Sequence, residues 1–206
     1  MRIALAQLNY LIGDFDGNVS KIIESVRKCR EMNADLVVFA ELSLCGYPPR
    51  DFLEFDDFIN RCGLAIEQIA AECHGIAAII GAPARNPDIK GKNLFNAAWL
   101  LADGDVKGMA FKALLPNYDI FDEYRYFEPN RSFNVLEFNG VKIALTVCED
   151  IWNIGPDPLY VATPMDELIR QQPDIMINIA ASPFNSDQES ERAAVLATNA
   201  RQYRLP

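Results

Sequence analysis

The chain has 206 residues, half of them hydrophobic and 23% charged, enough for one sizeable domain with its own core. Its formal net charge of -10 argues against a nucleic-acid partner, which would need a basic surface. No run reaches the roughly 20 apolar residues of a membrane span, and residues 1–7 lack the layout of a signal peptide, so no membrane association and a cytoplasmic location are predicted.

Residues 2–9 read as a first strand. A turn cluster follows at 13–18, and Asn18 or Ser20 is the predicted cap of a helix over 19–32, whose Val19, Ile22, Ile23, Val26 and Cys29 recur at helical spacing. Residues 36–40 form a buried strand that runs into Glu41-Leu42-Ser43 and then a rigid turn, Cys45-Gly46-Tyr47-Pro48-Pro49. One or two helices are predicted over 51–73, and strands over 76–81 and 93–102. Asp103-Gly104-Asp105 turns the chain into a fifth strand at 106–110, after which Lys112 leads into a loop, 117–127, dense in aromatic and charged residues. Residues 133–138 pair through Asn139-Gly140 with a strand starting at Val141 that drives straight into Cys148-Glu149-Asp150. Residues 165–171 read as helix, 175–179 as strand and 190–203 as helix.

Hairpins interleaved with helix–strand units exclude a simple parallel, doubly wound sheet. They predict an α/β fold in which a mixed sheet carries helices on one face and needs a second sheet to cover the other. No repeat or linker divides the chain, so residues 1–206 read as a single domain. The helix that ends near Pro206 leaves the α/β pattern one strand short, and the domain is expected to be incomplete at its C-terminus.

Cysteines at 29, 45, 62, 73 and 148 offer neither a disulfide framework nor the CxxC spacing of a zinc or redox site. His74, in Glu72-Cys73-His74-Gly75, is expected to end a helix ahead of a glycine cap. A reactive cysteine would then look to a carboxylate for its base. Glu41, Lys112 and Cys148 each closely follow an apolar strand, and groups at the carboxyl ends of neighbouring strands converge at one sheet edge. A carboxylate can take a thiol proton, while an ammonium lowers the thiol pKa and steadies an oxyanion. Taken singly, each residue also fits a blander role: a core cysteine, a capping glutamate, one basic side chain among 19.

Phe39-Ala40-Glu41-Leu42-Ser43 with Gly46-Tyr47-Pro48-Pro49, the Lys112 segment, and Val147-Cys148-Glu149-Asp150-Ile151-Trp152 resemble the three signature regions of the nitrilase superfamily of carbon-nitrogen hydrolases. That resemblance implies an α-β-β-α sandwich of two mixed sheets, with Glu41 as general base and acid, Lys112 as oxyanion-stabilising residue and Cys148 as nucleophile. The backbone N–H of Glu149 is implied to share the oxyanion role. More narrowly, residues 41–51 and 114–127 resemble the glutaminase domains of glutamine-dependent NAD synthetases. By that resemblance Tyr118 lines the glutamine site, Glu123 orients Lys112, Glu149 and Ser182 lie near the substrate's α-amino and carboxylate groups, and Arg192 approaches the same pocket.

The narrower resemblance implies release of ammonia from glutamine for ATP-dependent amidation of nicotinic acid adenine dinucleotide to NAD. The implied partners are glutamine, a synthetase domain of the same full-length protein that is absent from this chain, and further copies in a homo-oligomer. No cofactor or metal is implied for the glutaminase step, since ATP and magnesium serve the synthetase domain. Cys45 replaces the small hydroxyl residue common in the family, and Ala180 replaces a serine. Two alternatives are a free-standing nitrilase-type amidase or carbamoylase acting on another small amide, and an inactive truncated fragment.

Overall fold

The computed structural model describes residues 1–88, 90–155, 158–183 and 188–206. Strands β2 (Leu36–Val38), β3 (Ala77–Arg85) and β4 (Leu94–Ala102) are apolar on both faces, so neither face can be left to water. They form the middle of a five-stranded sheet, in the order β1-β2-β3-β4-β5, completed by β1 (Ile3–Leu5) and β5 (Asp105–Phe111). β1, β2 and β3 run parallel, while β4 is antiparallel to both β3 and β5. A second, three-stranded sheet holds β6 (Leu136–Phe138) antiparallel to β7 (Val141–Val147), with β7 parallel to β8 (Ile175–Ile179).

Alternation along the strands sorts their side chains into three cores. On the outer face of the larger sheet, Val37, Ala78, Ile80 and Leu101 pack under α1 (Phe15–Glu31) and α2 (Asp56–Ala70), which contribute Val19, Ile22, Val26, Ile59, Ile66 and Ile69. Between the sheets, Leu36, Val38, Ile79 and Leu100 meet Ile143, Leu145, Val147, Ile177 and Ile179. Ala144, turned the other way on β7, lies in a third core with Met165 and Leu168 of α4 (Pro164–Leu168) and Val195 and Tyr203 of α5 (Gln188–Tyr203). The layers are therefore helix, sheet, sheet, helix, the predicted sandwich of two mixed sheets. Each large aliphatic side chain so buried stabilises the fold by about 1.5–3 kcal/mol. Among the described residues no helix is long and apolar enough to cross a membrane.

Several boundaries differ from the sequence reading, for local reasons. β1 stops at Leu5 rather than residue 9 because its partner β2 offers pairing only as far as Val38. Helix α1 starts at Phe15, capped by Asp14, whose Oδ1 accepts from the Gly17 N–H at 3.1 Å. Asn18 is not the cap: its buried side chain accepts from Leu11 N–H and donates to the Leu11 and Leu44 carbonyls, tying two loops together. Residues 133–135 are not strand, since the Gln171 side chain serves the Phe133 carbonyl and the Val135 N–H instead. His74 does not end a helix, because α2 finishes at Ala70. It rests instead against Gly104 in the β4–β5 turn, at the end of the sheet where β3 begins.

The topology brings the carboxyl ends of β2, β3 and β5 and the amino end of β4 to one edge of the larger sheet. At that edge Gly81 of β3 presses on the segment after β2. A Cβ built at Gly81 would lie 2.4 Å from the Ala40 carbonyl oxygen and 2.3 Å from the Leu42 nitrogen, backbone atoms that cannot swing aside. Gly81→Ala should destabilise the fold by about 1–3 kcal/mol, read as a lower denaturant midpoint. An unchanged midpoint would mean that the segment around Glu41 is free to move.

Candidate active site

Glu41 follows β2 in a tightly held turn. The Phe39 N–H donates to the Ile79 carbonyl at 2.9 Å, the Leu44 N–H to the Gly81 carbonyl at 3.1 Å, and Leu42 adopts φ +47°. Packing of Phe39 and Leu42 into the first core leaves the Glu41 side chain turned inward and buried. Lys112 extends the β4–β5 ladder by one step, its N–H donating to the Asn96 carbonyl at 2.8 Å. Its side chain is wholly buried, as is most of Glu123, the first residue of the single-turn helix α3 (Glu123–Tyr126).

Cys148 follows β7 directly and starts a 3₁₀ turn over Cys148–Ile151 with φ +46°, a conformation that turns the chain sharply and costs a non-glycine residue energy. Two side chains hold it there. Asp150 accepts from the Val147 N–H at 3.0 Å and from the Ala113 and Leu114 N–H groups at 2.9 Å each, so it joins the end of β7 to the segment after Lys112. The Asn178 amide of β8 donates to the Cys148 carbonyl at 3.3 Å.

The charged side chains converge as their strand-end positions predict. The Lys112 ammonium donates to Glu41 Oε1 at 2.8 Å and lies 2.8 Å from both carboxylate oxygens of Glu123. Burial disfavours the ammonium, but Glu41, Cys148 and Glu123 around it hold Lys112 well above the ordinary lysine value. Burial pushes Glu123 up to about 7, against the pull of Lys112. The Cys148 thiol is pushed up by burial and by Glu41 and drawn down by Lys112, so its ionisation depends on a proton acceptor beside it. A buried carboxylate, an ammonium and a thiol so placed can shuttle a proton and steady a developing oxyanion.

The remaining predicted residues lie around this cluster. Ser182 Oγ is 3.7 Å from Cys148 Sγ, and the neighbouring Ala181 N–H donates to Glu41 Oε2 at 3.0 Å. Tyr118 donates to Glu149 Oε1 at 2.8 Å. Arg192 reaches the Pro183 carbonyl at 2.6 Å and Gln188 at 3.0 Å; its guanidinium thus lies beside the Ser182 segment. A groove of about 680 Å³ runs past Glu41, Trp152, Ser182 and Arg192.

Four residues in the network escaped the sequence reading. Asn96 and Tyr47 both donate to the glutamates, Tyr160 joins Tyr118 on Glu149 Oε1 at 3.1 Å, and Asp150 clamps the two strand ends. Asn96 left a signal as a polar residue inside the otherwise apolar run of β4, and Tyr47 and Asp150 lie within the signature motifs without a role being read for them. The partners of Tyr47, Tyr160 and Asp150 are set by tertiary folding.

A profile of the carbon-nitrogen hydrolase family matches residues 2–156. The chain is 38% identical over 205 residues to a glutamine-dependent NAD(+) synthetase of Xylella fastidiosa, covering 98% of this chain and 35% of that protein. A Thermotoga maritima protein of the same name is 33% identical over 207 residues, covering 100% and 34%. The chain thus spans about a third of the length of these curated relatives. Among solved structures, the glutamine-dependent NAD+ synthetase of Acinetobacter baumannii, in complex with ADP, superposes with a TM-score of 0.88 at 32% identity, covering 98% of this chain and 36% of that one. An amidase from Nesterenkonia sp. shares the fold, with a TM-score of 0.81 at 21% identity over 100% of this chain and 73% of that one.

Asp150→Ala would leave three buried N–H groups without an acceptor. A loss of about 3 kcal/mol or more is expected, at about 1–3 kcal/mol for each stranded donor, measured by chemical denaturation. Wild-type stability would show that water replaces the clamp.

Proposed function

The chain belongs to the carbon-nitrogen hydrolase family, and from that premise we propose that it hydrolyses the side-chain amide of glutamine through a thioester on Cys148. The observation that carries this reading is the buried Glu41–Lys112–Glu123 cluster beside a cysteine held at φ +46° on a strand end. Glu41 takes the thiol proton as sulfur attacks the amide carbon. Lys112 and the Glu149 N–H hold the resulting oxyanion. Glu41 then returns the proton to the leaving nitrogen, the C–N bond breaks, and ammonia departs. Water, deprotonated by Glu41, attacks the thioester, releasing glutamate and restoring the thiol.

Glutamine is the favoured amide for two reasons. Relatives called glutamine-dependent match almost the whole chain at 33–38% identity, whereas the amidase likeness, at 21%, speaks to the fold. The second reason is chemical. Among the described residues both phenols on Glu149 donate to Oε1, so Oε2 would accept from an α-ammonium, while Ser182 and Arg192 carry the hydroxyl and guanidinium that would bind an α-carboxylate. Glu123 and Tyr47 keep Lys112 in place. In the full-length protein the ammonia would be used by a synthetase domain for ATP-dependent amidation of nicotinic acid adenine dinucleotide to NAD. ATP and magnesium would act there, the Cys148 chemistry needs no cofactor, and the assembly would be a homo-oligomer.

Cys148→Ala should reduce glutamate release from glutamine to background while leaving the thermal unfolding midpoint unchanged, and substantial residual turnover would sink the assignment. Glutamine should be preferred over propionamide in kcat/KM; the reverse order would make the protein a general aliphatic amidase. A glutamine-like chloroketone should label Cys148 stoichiometrically, and an unlabelled native chain would count against a working site.

A further inference from the structure

Asn96 occupies an unusual place. It sits in β4 between Phe95 and Ala97 and is wholly buried, in a strand whose neighbouring residues are otherwise apolar. Polar side chains persist in such positions when partners hold them. The Asn96 carbonyl accepts the Lys112 N–H, the step of the ladder that delivers Lys112 to the site. Its side-chain Nδ2 donates to Glu41 Oε1 at 2.7 Å and to Glu123 Oε2 at 3.4 Å. Its Oδ1 is buried and has no hydrogen-bond partner among the described residues. The reverse rotamer would set that oxygen against two carboxylates, so the local charge fixes the orientation even though it strands an acceptor.

The two oxygens of Glu41 are therefore unequal. Oε1 is occupied by Lys112 and by Asn96, while among the described residues Oε2 accepts only the Ala181 N–H. We propose that Asn96 is a positioning residue: its amide bridges Glu41 and Glu123, fixes the Glu41 carboxylate, and directs proton transfer with the thiol to Oε2 of Glu41. The proton-transfer part rests on the reading of Glu41 as the base. The titratable and charged groups facing the pair are Lys112 from the end of β5, Tyr47 from the turn after β2, and Cys148 from the end of β7. Burial pushes Glu123 up to about 7, and the Asn96 amide, 3.4 Å from its Oε2, is one of the donors that favour its carboxylate form.

Asn96→Leu keeps the shape and removes the donor. Losing a hydrogen bond that favours the ionised form raises a carboxyl pKa, so ¹³C NMR of the glutamate carboxyls should show the Glu123 midpoint moving up by about one pH unit. The acidic limb of the pH–rate profile should move with it. Glutamine turnover at pH 7 should fall by about tenfold or more in kcat, with KM nearly unchanged, because Asn96 does not reach the substrate groove. If Asn96→Leu lowers the unfolding midpoint but leaves the carboxyl midpoint and the acidic limb in place, the residue is structural only and the proposal is overturned. Should that variant fail to fold, Asn96→Ala is read by the same two measurements. An unsubstituted chain unable to hydrolyse glutamine would defeat the functional reading, and the carboxyl midpoints would still decide the role of Asn96.

Discussion

An ammonium taken fully out of water needs opposite charge within hydrogen-bond reach, or it gives up its proton. Lys112 is such a group, and the edge of the larger sheet is organised around satisfying it. Glu41 and Glu123 come from either side in sequence, each 2.8 Å from the ammonium. Two carboxyl groups against one cation leave an excess of acceptor oxygens in a buried pocket. Neutral donors meet it: the phenol of Tyr47, the amide of Asn96 and the N–H of Ala181. Removing one member of such a set exposes the others to the full penalty of burial, so these residues stand or fall together.

Precision at the site comes largely from backbone. The turn after β2 is pinned by hydrogen bonds to Ile79 and Gly81, and the absence of a side chain at Gly81 is what lets β3 approach it. Lys112 and Asn96 are fixed opposite each other by the ladder itself. Cys148 is held by Asp150 and Asn178 in a conformation that few residues adopt unaided.

Much of the layout was legible in the sequence because it rests on local pattern. Branched apolar runs marked the strands, their alternation with helices and hairpins required two sheets, and Glu41, Lys112 and Cys148 stood out by closely following strands. Legibility failed where one side chain can serve two purposes. Asn18 has the chemistry of a helix cap, and only the folded chain shows that its amide is committed to Leu11 and Leu44. Residues 133–135 carry strand-forming side chains, yet Gln171, remote in sequence, takes their backbone groups. Tyr160 and Tyr47 read as ordinary aromatics until their hydroxyls are seen to reach Glu149 and Glu123. Propensity describes a residue's neighbours in sequence, whereas these roles depend on neighbours in space.

The bonds that shape the site also stitch its two layers together. Glu41 belongs to the larger sheet and accepts from Ala181, which follows the smaller one; Asp150 follows the smaller sheet and accepts from Ala113 and Leu114, which follow the larger. Any fluctuation that lifts one sheet from the other must tear both seams at once and let water reach Lys112. The thiol then loses its electrostatic setting while the helices outside can remain folded. On the proposed reading of Cys148 as the nucleophile, its reactivity requires the two sheets to stay closed, so a partly opened chain would be chemically silent even where most of its secondary structure survives.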